Sequence, residues 1–148
     1  MGRRQRSIPR AVPPAAKLPF VDVHQKLSEQ EQLLFSFQFY DPDHPVFSCD
    51  CEGVDRSWFE GLLERLKAVS ALKLVACIQM EALRFHKIDW SRVSDRFNLP
   101  GPMLQQVEED SWQFALSANT GRVHGFIVGN RFFVHWLDPD HDLYPRKR

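Results

Sequence analysis

Arg122, His124, Arg131, His135, His141 and Tyr144 crowd the last part of the chain. Between them they hold the groups that phosphodiester cleavage without a metal requires: a cation to stabilise the phosphorane, one group to take the 2′-hydroxyl proton and another to protonate the leaving oxygen. A second chemical feature is an internal echo, Asp41-Pro42-Asp43-His44 and Asp138-Pro139-Asp140-His141. Asp-Pro is turn chemistry, with Asp bonding its own backbone and Pro preset at the next position, and that accounts for both copies as strand ends. The functional alternative uses His44 or His141 as an acid/base group or, where the two turns meet in space, as a metal ligand beside the carboxylates. Cys49, Cys51 and Cys77 lack the spacing of a zinc ribbon and read as ordinary thiols. The chain has no Gly-rich phosphate loop, HExxH, GxSxG or EF-hand loop. No cofactor and no metal is therefore expected.

Strands must position these groups. Gly129-Asn130 separates two apolar runs as a two-residue loop with Gly first, the requirement of a type II′ hairpin. This pairs 128 with 131 and sets strands over 122–128 and 131–137. One face then carries Val123, Gly125, Ile127, Phe132, Val134 and Trp136, and must be buried. The other sets His124 against His135 and Phe126 against Phe133, with Arg122 and Arg131 at the ends, a half-polar face open to solvent. A third strand is expected over 112–117. Upstream, alternating phenylalanines predict a strand over 35–40. Trp58, Phe59, Leu62, Leu63, Leu66 and Val69 make the apolar stripe of a helix from Asp55, and Ser70 can cap a second helix reaching residue 84. Ser28 with Glu31 forms a capping box for a short helix ahead of Leu33. Residues 86–90 read as a loop or short extended piece, 91–97 as one or two helical turns, and Pro100-Gly101-Pro102 as a break. The expected class is α+β: a helical hairpin packed on an antiparallel sheet of about four strands, in the order β-α-α-β-β-β.

The 19 basic and 19 acidic residues cancel, but they are segregated. Five basic residues up to Lys17 precede every acidic one, and Arg146, Lys147 and Arg148 close the chain. The body is left acidic, which argues against a broad nucleic-acid-binding face, while the tails remain able to touch phosphates. The organisation expected is a disordered basic arm over 1–19, one domain over 20–145 and a basic tail over 146–148. No apolar run approaches the length of a membrane span, and the first residues lack the apolar stretch of a secretory signal, so the cytoplasm is the expected location.

The element order, with the closing segment from Arg122 through Trp136-Leu-Asp-Pro-Asp-His141 to Tyr144, resembles the RelE/ParE superfamily of bacterial toxins. The segment is also similar to that of a group of small bacterial proteins. The resemblance implies a toxin component of a toxin-antitoxin pair, an endoribonuclease acting on RNA, with an antitoxin-like or other protein partner and contact with RNA or the ribosome. It puts Arg122 or Arg131 at the phosphate and His141 with Tyr144 at the acid/base positions. His124 and His135 are further proton carriers to be weighed. The alternative from a different class is a non-catalytic protein-binding or regulatory module that uses the Arg/His/Phe face or the arm.

Overall fold

The computed structural model describes residues 32–117 and 120–144. The basic arm, the Ser28–Glu31 capping box and the closing tail lie outside them. The architecture is α+β. Strands β1 (Leu34–Ser36), β2 (His86–Lys87), β3 (Ser111–Ala115), β4 (Arg122–Val128) and β5 (Arg131–Asp138) form one sheet in the order β1-β5-β4-β3-β2. The meander β3-β4-β5 is antiparallel, β2 adds antiparallel to β3, and β1 runs parallel to β5. The sheet is thus mixed and five-stranded rather than wholly antiparallel with about four strands.

The β4–β5 hairpin starts in the predicted register. Val128 opposes Arg131, Phe126 opposes Phe133, and Gly129 takes the positive φ (65°) that the turn demands. Beyond Gly125 the register departs from expectation. Gly125 faces Val134 but His124 faces Trp136, so His135 is an extra, bulged residue. A bulge restarts the alternation of faces. Val134 therefore packs with the helix-side core and Trp136, two residues on, with the opposite one. Gly125 permits the bulge, since a Cβ there would lie 2.0 Å from the Phe133 carbonyl oxygen.

Helix α1 (Arg56–Ser70) begins where the Asp55 carboxylate accepts the Trp58 N–H at 2.8 Å. Trp58, Leu62, Leu66 and Val69 pack on Val123, Ile127, Phe132 and Val134, while Phe59 and Leu63 of the predicted stripe face outward. The second helix is shorter than predicted: α2 (Leu74–Gln79) is followed by a 3₁₀ turn (Glu81–Leu83). Lys73 precedes it, and Ser70 instead bonds back to Leu66 O. β1 ends early because the Ser36 hydroxyl and the Phe37 carbonyl turn the chain. Phe35 meets Phe114 and Phe132 on the helix side, whereas Phe39 meets Phe126 and Phe133 on the far side. The alternating phenylalanines thus span the sheet edge instead of lining one face.

The far face is buried too. A layer of irregular chain brings Phe47, Ile88, Trp90, Val93, Phe97 and Leu143 onto Phe126 and Trp136. Pro100-Gly101-Pro102 starts a helix in this layer, α3 (Gly101–Val107), where proline is tolerated because first-turn N–H groups have no intrahelical acceptor and no helical hydrogen bond is lost. Among the described residues no helix is long and apolar enough to cross a membrane.

Candidate functional site

Covering the far face changes what its polar residues can do. His135 is buried, and both ring nitrogens are occupied: Nδ1–H donates to the Phe39 carbonyl and Nε2 accepts the Asn98 N–H at 3.0 Å. It ties two loops to β5. His124 is fully buried and donates from Nε2 to the Asp138 carboxylate at 2.9 Å. Burial pushes its pKa below the usual histidine range, so the ring is neutral with that proton held by Asp138. Arg131 is exposed, with its guanidinium 5.9 Å over the Phe133 ring, and sits at the opposite end of the hairpin from Arg122. At a rise of ~3.3 Å per residue that separation is about 20 Å. These three therefore do not form the open catalytic face expected from strand alternation.

Arg122, His141 and Tyr144 do come together. They line a cleft of about 550 Å³ with residues from α2, β2 and the turns beside them. Arg122 opens β4 opposite Asp138 at the end of β5. The turn after β5 carries His141, whose backbone takes the left-handed conformation at φ 58°. Arg84, on the other wall, is the other non-glycine residue with positive φ (45°) among the described residues. Backbone of this kind costs about 1–2 kcal/mol and persists where the surroundings enforce it. Arg84, Lys87, Arg92 and Arg122 face Glu81 and Asp89, which gives the cleft an excess of positive charge within an acidic body.

Two groups in the cleft are shifted in opposite senses. Although His141 is exposed at the cleft mouth, partial desolvation lowers its pKa, reinforced by the Arg122 charge and opposed by Asp138, which favours the free base at neutral pH. Burial raises Tyr144, which stays protonated. Its hydroxyl accepts the Asp89 N–H at 2.9 Å, leaving its own proton to give, and the Arg92 guanidinium lies 5.0 Å over its ring. His86, read from sequence as a loop residue, donates from Nδ1 to Lys87 O and accepts from Gln113 Nε2 at 2.9 Å. Both its nitrogens are occupied. Sequence pattern does not single out Arg84, Lys87, Arg92 or Gln113. The density of cations between 84 and 92 was the one visible signal for three of them.

No family model, curated protein or solved structure matches this chain. The chemistry of the cleft must accordingly be read from its own geometry.

The two Asp-Pro-Asp-His turns take different parts. His44 accepts the Val46 and Phe47 N–H groups at Nδ1, stacks on Phe47 at 4.5 Å and points Nε2 at Asp95, 3.6 Å away. The Asp41 carboxylate accepts the Asp43 N–H and the Trp136 indole. The first copy is a packing turn, and only the second reaches the cleft. Among the described residues no group of three or more His, Cys, Asp or Glu is placed to hold a metal ion, so the two turns do not build a shared metal site.

Proposed function

We propose that the protein is a metal-independent endoribonuclease, acting as the toxin component of a toxin-antitoxin pair in the cytosol, with the Arg122/His141/Tyr144 cleft as its active site. One observation carries this reading. Arg122 is only 4% exposed, no carboxylate of the described residues lies within ion-pair distance of it, and its Nε has no partner. Its Nη1 is held by the Gly121 and Ser117 carbonyls, which are neutral. A buried guanidinium stays charged, and leaving it unpaired costs several kcal/mol. An anion in the cleft offsets that cost.

A phosphodiester there would be cleaved by transesterification. Neutral His141 takes the proton of a ribose 2′-hydroxyl, and that oxygen bonds to phosphorus. The bond from phosphorus to the 5′-oxygen breaks, Tyr144 protonates the departing oxygen, and a 2′,3′-cyclic phosphate remains. Arg122 stabilises the added negative charge on the non-bridging oxygens. Arg84, Lys87 and Arg92 attract the flanking phosphates.

A second reading, a non-catalytic protein-binding module, is supported by the outward Leu63 of α1 (66% exposed) and Val75 of α2 (60%). Induced expression in a bacterium separates the two. His141→Asn is the control, because Asn tolerates positive φ but cannot serve as the base. Growth arrest with loss of total RNA, relieved by the substitution, is the expected result. Normal growth with intact RNA, at confirmed soluble expression, rejects the nuclease and leaves the binding module.

A further inference from the structure

The second Asp-Pro-Asp-His copy supplies more than His141. Asp138 is fully buried, and its two oxygens receive three donors. Oδ1 accepts the Asp142 N–H at 2.8 Å, and Oδ2 accepts the Leu143 N–H at 3.0 Å together with His124 Nε2–H at 2.9 Å. The two backbone bonds close the turn around His141. Asp138 is also the register partner of Arg122, the position from which a carboxylate most readily neutralises a guanidinium. It makes no ion pair with Arg122: the His124 and Leu143 donors on Oδ2 and the Asp142 donor on Oδ1 fix the carboxylate toward the turn and His124.

We propose that Asp138, backed by His124, is the positioning residue of the cleft: it holds the 139–143 turn so that His141 reaches the site, and because its carboxylate is engaged there it leaves Arg122 free to bind an anion. The proposal rests on the reading of the cleft as an anion site and explains why that site survives beside a buried aspartate. His124 is the deciding element. Without its N–H, Oδ2 is held by the Leu143 N–H alone and the carboxylate can turn toward Arg122. The groups that act electrostatically on His141 are Arg122 and His124 from β4, Asp138 from β5 and His86 from β2. Asp138 is the anion among them, with Glu81 and Asp89 the other carboxylates lining the cleft, and loss of its charge shifts His141 titration to lower pH.

The test uses inorganic phosphate as the probe, followed by calorimetry, and His141 titration followed by NMR. Asp138→Asn is expected to bind phosphate several-fold more tightly, having lost the nearby negative charge, and to titrate His141 at lower pH while cleaving RNA more slowly. His124→Leu is expected to weaken phosphate binding, because the released carboxylate pairs with Arg122. His124→Gln keeps an N–H toward Asp138 and is expected to restore the wild-type affinity. Should Asp138→Asn fail to fold, the contrast between His124→Leu and His124→Gln decides. Equal phosphate affinity in those two, or weaker binding with unchanged His141 titration in Asp138→Asn, overturns the proposal. Wild-type protein that binds phosphate but leaves RNA intact rejects the nuclease and not the positioning role, whereas wild-type protein that does not bind phosphate overturns both.

Discussion

At His141 and Tyr144 the environment separates two titratable groups in the directions that base and acid require. The base must be deprotonated and the acid protonated, so the pH profile follows from the two shifts. Activity falls on the acid side as pH drops through the His141 pKa, which lies below the ordinary value of about 6.5, and on the alkaline side above the ordinary tyrosine value of about 10. The rate of RNA cleavage is therefore expected to be flat across roughly pH 7–9. Its acid limb should disappear in His141→Asn along with the activity. A profile without an acid limb would remove His141 from the role of base. Residue types alone pointed to Arg122, His141 and Tyr144, because arginine, histidine and tyrosine are what the chemistry needs. They pointed equally to His135 and Arg131, since nothing in the types reveals that one imidazole is tied to Phe39 and Asn98 or that one guanidinium lies at the far end of a strand.

The elements turn on one glycine. The two-residue loop at Gly129-Asn130 was legible because a type II′ turn fixes the register locally, and the pairing holds from residue 128 to Gly125. The bulge at His135 was not legible. What admits it is the close approach of the Phe133 carbonyl to Gly125, a contact between strands. From there on each side chain changes face, which sends Trp136 to the far core and sets Asp138 beside His124. Gly125→Ala places a methyl group where the Phe133 carbonyl sits and is expected to destabilise the fold by about 3 kcal/mol, measured as a fall in the urea midpoint. Because the bulge orients the end of β5, phosphate binding should weaken in the residual folded protein. A neutral substitution would mean that the hairpin does not need the bulge. Helix α1 shows the opposite case: its apolar spacing and Asp55 cap lie close together in sequence, so its position was readable within a residue.

The whole molecule buries the sheet on both faces, and this sets its response to acid. His124 and His135 sit in that interior, and burial holds both below the ordinary histidine pKa. Below about pH 6.5 the unfolded chain takes up protons that the folded one refuses, so stability falls as pH drops through that value and continues to fall toward the folded-state pKa values. Asp138 acts in a lower window. Burial alone would raise it, but the His124 hydrogen bond and the two backbone N–H groups hold it below its usual range. Its contribution is present above about pH 3.9 and lost as pH falls through its folded value. The urea midpoint is expected to be lower at pH 5.5 than at pH 7.5, and an unchanged midpoint would show that the two imidazoles titrate as they do in water. By itself the sequence determined the α+β class, helix α1, the β4–β5 turn and the presence of metal-free acid/base residue types, because each follows from periodicity or from neighbouring residues. The tertiary structure decided which face each histidine occupies, that irregular chain covers the second face, and that Arg84, Lys87 and Arg92 join Arg122 in one cleft. Those outcomes depend on contacts between segments far apart in the chain, and no local spacing encodes them.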